Sequence, residues 1–198
     1  MKIIGITGGV GAGKSSLLQY IGSRYDCRIL FADAIAKELE EPEGSCYEDL
    51  VRLLGRQILQ ENGKIDSVRM SELIFHNGNL LSEVNLILHP AVRETIQSEI
   101  EAEKRRGKVR FFFIEAALLI ECGYEEIVDE IWFIHAPRDV RRKRLQKERG
   151  YSEGRINGIF ANQLPEETFF AHADVVIENG GTFADACRQV DEKLGERT

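Results

Sequence analysis

Cysteine is scarce and shows no pairing pattern: Cys27, Cys46, Cys122 and Cys187 stand far apart, with no CxxC among them. That spacing suggests neither a zinc site nor a small disulfide framework, and free thiols in a reducing compartment are the plainer account. Long apolar runs are missing as well. No stretch approaches the roughly 20 apolar residues of a membrane span. The amino terminus reaches Gly5 after two isoleucines, too short for the apolar core of a signal peptide. Positive charge is in deficit, since 26 Lys and Arg against 33 Asp and Glu leave a net charge of −7. Such a balance argues against a general nucleic-acid or membrane binder. Internal repeats and low-complexity tracts are also lacking. The expectation is a soluble cytoplasmic protein, a monomer or a weak homo-oligomer.

What is present is enough apolar material for one sizeable core, 43% of 198 residues. It comes as short strand-like runs, "KIIGIT", "CRILFAD", "VRFFFIEAALL", "EIWFIHA" and "DVVIENG", separated by helical patterns. Continuous rather than alternating runs are what buried parallel strands look like, and parallel neighbours need crossover helices. The fold class is therefore α/β, a parallel sheet core flanked by helices. Residues 34–108 are rich in helical pattern and poor in strands. That is longer than a crossover needs, so part of it is expected to be a helical substrate-binding insertion. The single domain 1–198 divides into a core (1–34, 84–136, 166–198), a helical acceptor-binding region (35–83) and a lid (137–165).

Between "KIIGIT" and "LLQYIG" lies "GGVGAGKSS", residues 8–16. It fits GxxxxGK[ST] with Gly8, Gly13, Lys14 and Ser15 in register, and it falls where a strand passes into a helix. A glycine turn that binds nothing is the alternative. In the phosphate-loop reading, the stretch Gly9, Val10, Gly11, Ala12, Gly13, Lys14, Ser15, Ser16 wraps a polyphosphate with backbone amides. Lys14 reaches the outer phosphate oxygens and the Ser15 hydroxyl binds Mg²⁺. A P-loop NTPase using ATP and Mg²⁺ is the expectation.

Three further places carry candidate chemistry. Asp33 follows the strand "RILFA", at the sheet edge where ligands bind in open α/β folds; it could cap a helix or accept the proton of an attacking hydroxyl. Glu115 ends the apolar strand "FFFIE", where an acid either holds Mg²⁺ through water or simply marks the strand end. The run "PRDVRRKRLQKERGYSEGRI" gathers Arg138, Arg141, Arg142, Lys143, Arg144, Lys147 and Arg149. It is a solvated helix face, a mobile cationic lid over the polyphosphate or, least of all, a nucleic-acid contact. His89 in "LHPAVR" is a structural hydrogen-bonder rather than a base.

These segments, together with "FADAIAKELEEPEGSCYEDL", "LHPAVR", "ALLIECGY", the trailing "NQL" and "ADVVIENGG", resemble the dephospho-CoA kinases in order and spacing over nearly the whole chain. The resemblance implies transfer of the ATP γ-phosphate to the ribose 3′-hydroxyl of dephospho-CoA, the last step of coenzyme A biosynthesis. It implies Asp33 as general base, Lys14 at the phosphates, and Arg144 as the lid arginine. Asn179 and Gly180 match a segment near the adenine. His89, Arg93, Glu115 and Leu118 fall with Asp33 on the acceptor side. Three positions depart from the pattern: Phe31 replaces an acid, Ala117 a proline and Phe169 a basic residue. A nucleoside monophosphate kinase shares fold and reaction, whereas a guanine-nucleotide switch would need DxxG and NKxD, which the chain lacks.

Overall fold

A computed structural model describes residues 1–75 and 77–195; the last three positions of the expected core segment 166–198 lie outside the described residues. Five strands form one sheet: β1 (Lys2–Thr7), β2 (Cys27–Phe31), β3 (Phe111–Glu115), β4 (Glu130–His135) and β5 (Val175–Glu178). Their order is β2-β3-β1-β4-β5. β1 runs parallel to β3, with Ile4 opposite Phe113, and parallel to β4, with Ile6 opposite Trp132; β4 runs parallel to β5. The five strand-like runs of the sequence are thus the five strands. β1 sits in the middle, which is why five of its six residues are buried.

The chain forms two compact units, Met1–Leu30 with Arg106–Thr198, and Phe31–Arg105. The first contains the sheet with α1 (Lys14–Arg24), α6 (Arg138–Arg149), α7 (Glu153–Ala161), α8 (Glu166–His172) and α9 (Phe183–Gly195). Its core joins Ile4, Ile6, Phe113 and Trp132 from the sheet to Leu17, Leu18 and Ile21 of α1 and Val190 and Leu194 of α9. A polar knot closes the α1–α9 seam. Tyr20 and Tyr25 both donate hydroxyl hydrogen bonds to Asp191, at 2.8 Å and 2.6 Å, and Arg24 lies 3.5 Å from the same carboxylate.

The second unit contains α2 (Ala32–Leu39), α3 (Tyr47–Leu54), α4 (Ser67–Phe75) and α5 (Gly78–Arg106). Leu50, Leu54, Ile58, Met70, Val84 and Leu88 form its own core. The helical unit continues to Arg105, past the boundary at 83 that the sequence pattern predicts. The reason is that α5 is one helix that runs through Pro90, and Val84 and Leu88 on its buried face pack into the helical cluster. Proline inside a helix removes one backbone donor and bends the rod without ending it when packing holds both halves.

Candidate active site

The glycine-rich stretch leaves β1 and enters α1 with Gly13 at the cap position, at φ 91° and ψ 21°, and with no side-chain cap bond. The first amides of α1 are therefore left for a ligand, and the positive end of the helix dipole faces the same place. Gly13 is required twice over, by its left-handed φ and by space: a Cβ there would collide with Nδ2 of Asn179. Lys14 donates from Nζ to the Gly8 carbonyl at 2.8 Å and stands 3.4 Å from Oε1 of Glu115. Both side chains are mostly shielded, 11% and 14% exposed, so the ammonium is held across the loop by a carboxylate at the end of β3. Ser15 and Ser16 are exposed in the first turn of α1, and Ala12 is buried in the core below.

Asn179 and Arg144 brace the loop from behind. Asn179 is 2% exposed; its Nδ2 donates to the Ala12 carbonyl at 2.7 Å, and its Oδ1 is buried with no hydrogen-bond partner. Arg144 donates to the Asn179 carbonyl at 2.7 Å and to the Ala12 and Gly11 carbonyls at 3.3 and 3.4 Å. Both residues thus touch the loop backbone, a role that no local sequence pattern signals. Gly180 follows at the same corner, where a Cβ would come within 2.5 Å of the Pro137 ring.

The basic run is α6, and the structure sorts its charges. Arg142 pairs with Glu153 and donates to Asn157 at 3.0 Å, joining α6 to α7. Arg138, Arg141 and Arg142 all lie over the ring of Phe160. Lys143 faces Asp139 one turn away, an exposed pair of little weight. Gly150 ends α6 in the left-handed conformation, and the Ser152 hydroxyl accepts the Arg155 amide to start α7. Leu145, Ile156 and Phe160 form a small apolar core against which Val10 of the loop packs.

Of the residues expected on the acceptor side, Glu115 and Leu118 belong to the sheet unit, Leu118 being 45% exposed in the turn after β3. Asp33, His89 and Arg93 belong to the helical unit. Asp33 is exposed in the first turn of α2, whose cap position is Phe31 without a side-chain bond. The helix-cap role is thus not the one Asp33 fills. His89 and Arg93, one turn apart on α5, are half-buried, and burial lowers the His89 pKa below the usual imidazole value. Phe169 is buried and stacks on Phe133 at 5.1 Å, which accounts for an aromatic where the family carries a base. Sequence reasoning missed a neighbouring cluster: His135 places Nδ1 2.7 Å from Glu178 and Nε2 2.5 Å from Glu166. Residues so far apart in the chain leave no local pattern to find.

A parallel sheet whose first strand turns through an amide-lined loop into a helix, with a cation-rich helix, α6, against that loop, defines a phosphate-loop kinase. The dephospho-CoA kinase family description matches residues 2–185. A dephospho-CoA kinase of Geobacter sulfurreducens is 33% identical over 197 residues, covering 100% of this chain and 99% of that protein. One of Streptococcus mutans is 32% identical over 193 residues, covering 98% and 96%. A crystal structure from Thermus thermophilus superposes with a TM-score of 0.84 at 29% identity, covering 100% of this chain and 98% of that one. Shikimate kinase from Acinetobacter baumannii shares the fold, with a TM-score of 0.52 at 12% identity, covering 100% and 95%. The chain belongs to the dephospho-CoA kinase family.

Proposed function

We propose that the protein transfers the γ-phosphate of ATP to the ribose 3′-hydroxyl of dephospho-CoA, giving CoA and ADP. The observation that carries this reading is the Lys14 ammonium, held between the Gly8 carbonyl and Glu115 at an uncapped helix start, in a chain matched by its family over nearly its full length. Phosphoryl transfer runs through a loose transition state, so the protein's tasks are to align donor and acceptor and to offset spreading negative charge. Lys14 and the amides at the start of α1 serve the second task. Asp33, exposed at the start of α2, orients the 3′-hydroxyl and takes its proton late. Arg144 keeps the loop in shape while adding a cation beside it. His89, Arg93 and Leu118 are assigned to the acceptor.

The donor set fits Mg²⁺. Ser15 offers one exposed hydroxyl and Glu115 a carboxylate, while no group of three or more His, Cys, Asp or Glu able to hold a metal exists among the described residues. Mg²⁺ is suited to such sparse protein ligation because it keeps waters and phosphate oxygens in its shell. When bound it neutralises phosphate charge. No helix among the described residues is long and apolar enough to cross a membrane, and we place the reaction in the cytoplasm, in a monomer or weak homo-oligomer.

Incubation with ATP, Mg²⁺ and dephospho-CoA, followed by mass spectrometry, is expected to show CoA. Turnover of AMP, CMP or shikimate in its place, by well-folded protein, would leave the phosphate loop standing and overturn the acceptor.

A further inference from the structure

Gly9 is buried, yet it is not among the glycines whose φ is positive, which in this loop are Gly8, Gly11 and Gly13. Its backbone therefore does not require glycine through a left-handed φ. What residue 9 lacks is room: a Cβ there would collide with Nη1 of Arg141 and stand 2.7 Å from the guanidinium carbon and 3.3 Å from Nε. The guanidinium is fixed by neighbours from two loops and from α7. Nε donates to the Ala136 carbonyl at 3.1 Å, Nη1 donates to Oε1 of Gln163 at 2.9 Å, and the group lies 4.7 Å over the Phe160 ring. Arg141 is half-buried, and burial lowers its pKa, with the nearby Glu166 charge acting in the opposite direction. A partly desolvated cation beside an anion-binding loop gains most when a polyphosphate arrives.

We propose that Arg141 is a positioning residue for the nucleotide: its tethered guanidinium fills the space above Gly9, fixes the path of the loop's first half and so sets affinity for the triphosphate. This rests on the reading that the loop binds ATP. Glycine at position 9 is then there for Arg141, and the two positions are energetically one.

The test is a double-mutant cycle in the full-length protein, reading the dissociation constant of ATP by titration, the KM for dephospho-CoA, kcat and the unfolding temperature. Arg141→Ala is expected to weaken ATP binding about tenfold, within the coupling range of touching residues. Gly9→Ala alone should weaken it as much or more, because the new methyl evicts the guanidinium. The double variant should bind ATP no more weakly than Arg141→Ala. Gln163→Leu, which removes the tether and keeps the loop intact, should weaken ATP binding in the same direction, with the KM for dephospho-CoA little moved. Multiplying single effects in the double variant would overturn the proposal. So would Arg141→Ala and Gln163→Leu proteins that bind ATP like wild type, a comparison that stands even if Gly9→Ala does not fold. Wild-type protein that fails to bind ATP ends both this proposal and the functional reading, whereas wild-type binding with an additive cycle ends this proposal alone.

Discussion

Lys14 is held by the Gly8 carbonyl and the Glu115 carboxylate, and its ammonium acts as a point charge that other cations reproduce poorly at this position. Lys14→Ala is expected to lower turnover by about 10²- to 10³-fold or more, the cost of removing a preorganised electrostatic donor. Circular dichroism should be unchanged, and near-wild-type turnover would reduce the loop to a structural turn. Asp33 yields a sharper contrast, because Phe31 and not Asp33 holds the cap position of α2. Asp33→Asn should leave stability almost unchanged and cut turnover by about 10²- to 10⁴-fold, the range for loss of a general base, with ATP affinity retained. Because the hydroxyl keeps its proton until late in a loose transition state, a value at the low end marks orientation as the larger part of the role. Unchanged turnover in that variant would move the search for the acceptor-side acid to Glu115.

At the scale of elements, α6 is tied to the loop through Arg144, which reaches the carbonyls of Asn179, Ala12 and Gly11 together. Arg144→Ala should therefore lower the unfolding temperature and turnover in parallel. Arg144→Lys should not restore them, since a single ammonium cannot reproduce a planar fork over three carbonyls. Full rescue by lysine would show that charge alone matters there. The seam between α1 and α9 gives a pH prediction. Burial, then the hydrogen bond to Asp191, pushes the Tyr25 hydroxyl up to about 12 from an ordinary value of 10.0. A raised pKa favours the neutral phenol in the folded state. Its contribution is fully present below pH 10 and is lost as pH rises through about 12. Unfolding measured between these limits should show stability falling with pH, and Tyr25→Phe should flatten that fall. Identical slopes in the two proteins would exclude Tyr25 as the cause.

At the scale of the whole molecule, each unit is described by its own buried cluster. The sheet unit is held by Ile4, Phe113, Trp132 and their neighbours, and the helical unit by Leu50, Ile58 and theirs. Leu50 is fully buried. Leu50→Ala should cost about 2 to 5 kcal/mol, the range for removing a core leucine. Hydrogen exchange should then quicken in α3, α4 and α5, while β1, β3 and β4 stay protected and ATP affinity holds. Equal loss of protection in both units would mean that they unfold as one.

The sequence by itself determined the strands and the loop, because both are local. Five apolar runs became five parallel strands since buried strands need unbroken hydrophobicity, and GxxxxGK[ST] specifies its turn within nine residues, Gly8 to Ser16. Asp33 and Glu115 were legible as acids at strand ends for the same reason. Only the tertiary structure decided which cations of the basic run face what. Arg141 and Arg144 are one helical turn apart and indistinguishable by pattern, yet one lies over Gly9 and the other holds the Asn179 carbonyl. The end of the helical unit was likewise invisible, since α5 crosses Pro90 and is held by packing against Leu50 and Leu54 rather than by its own propensity. Asn179 lies far along the chain from the Ala12 carbonyl that its side chain bonds. Pairings between distant segments depend on how the chain closes on itself, and no residue's own neighbours in sequence record that.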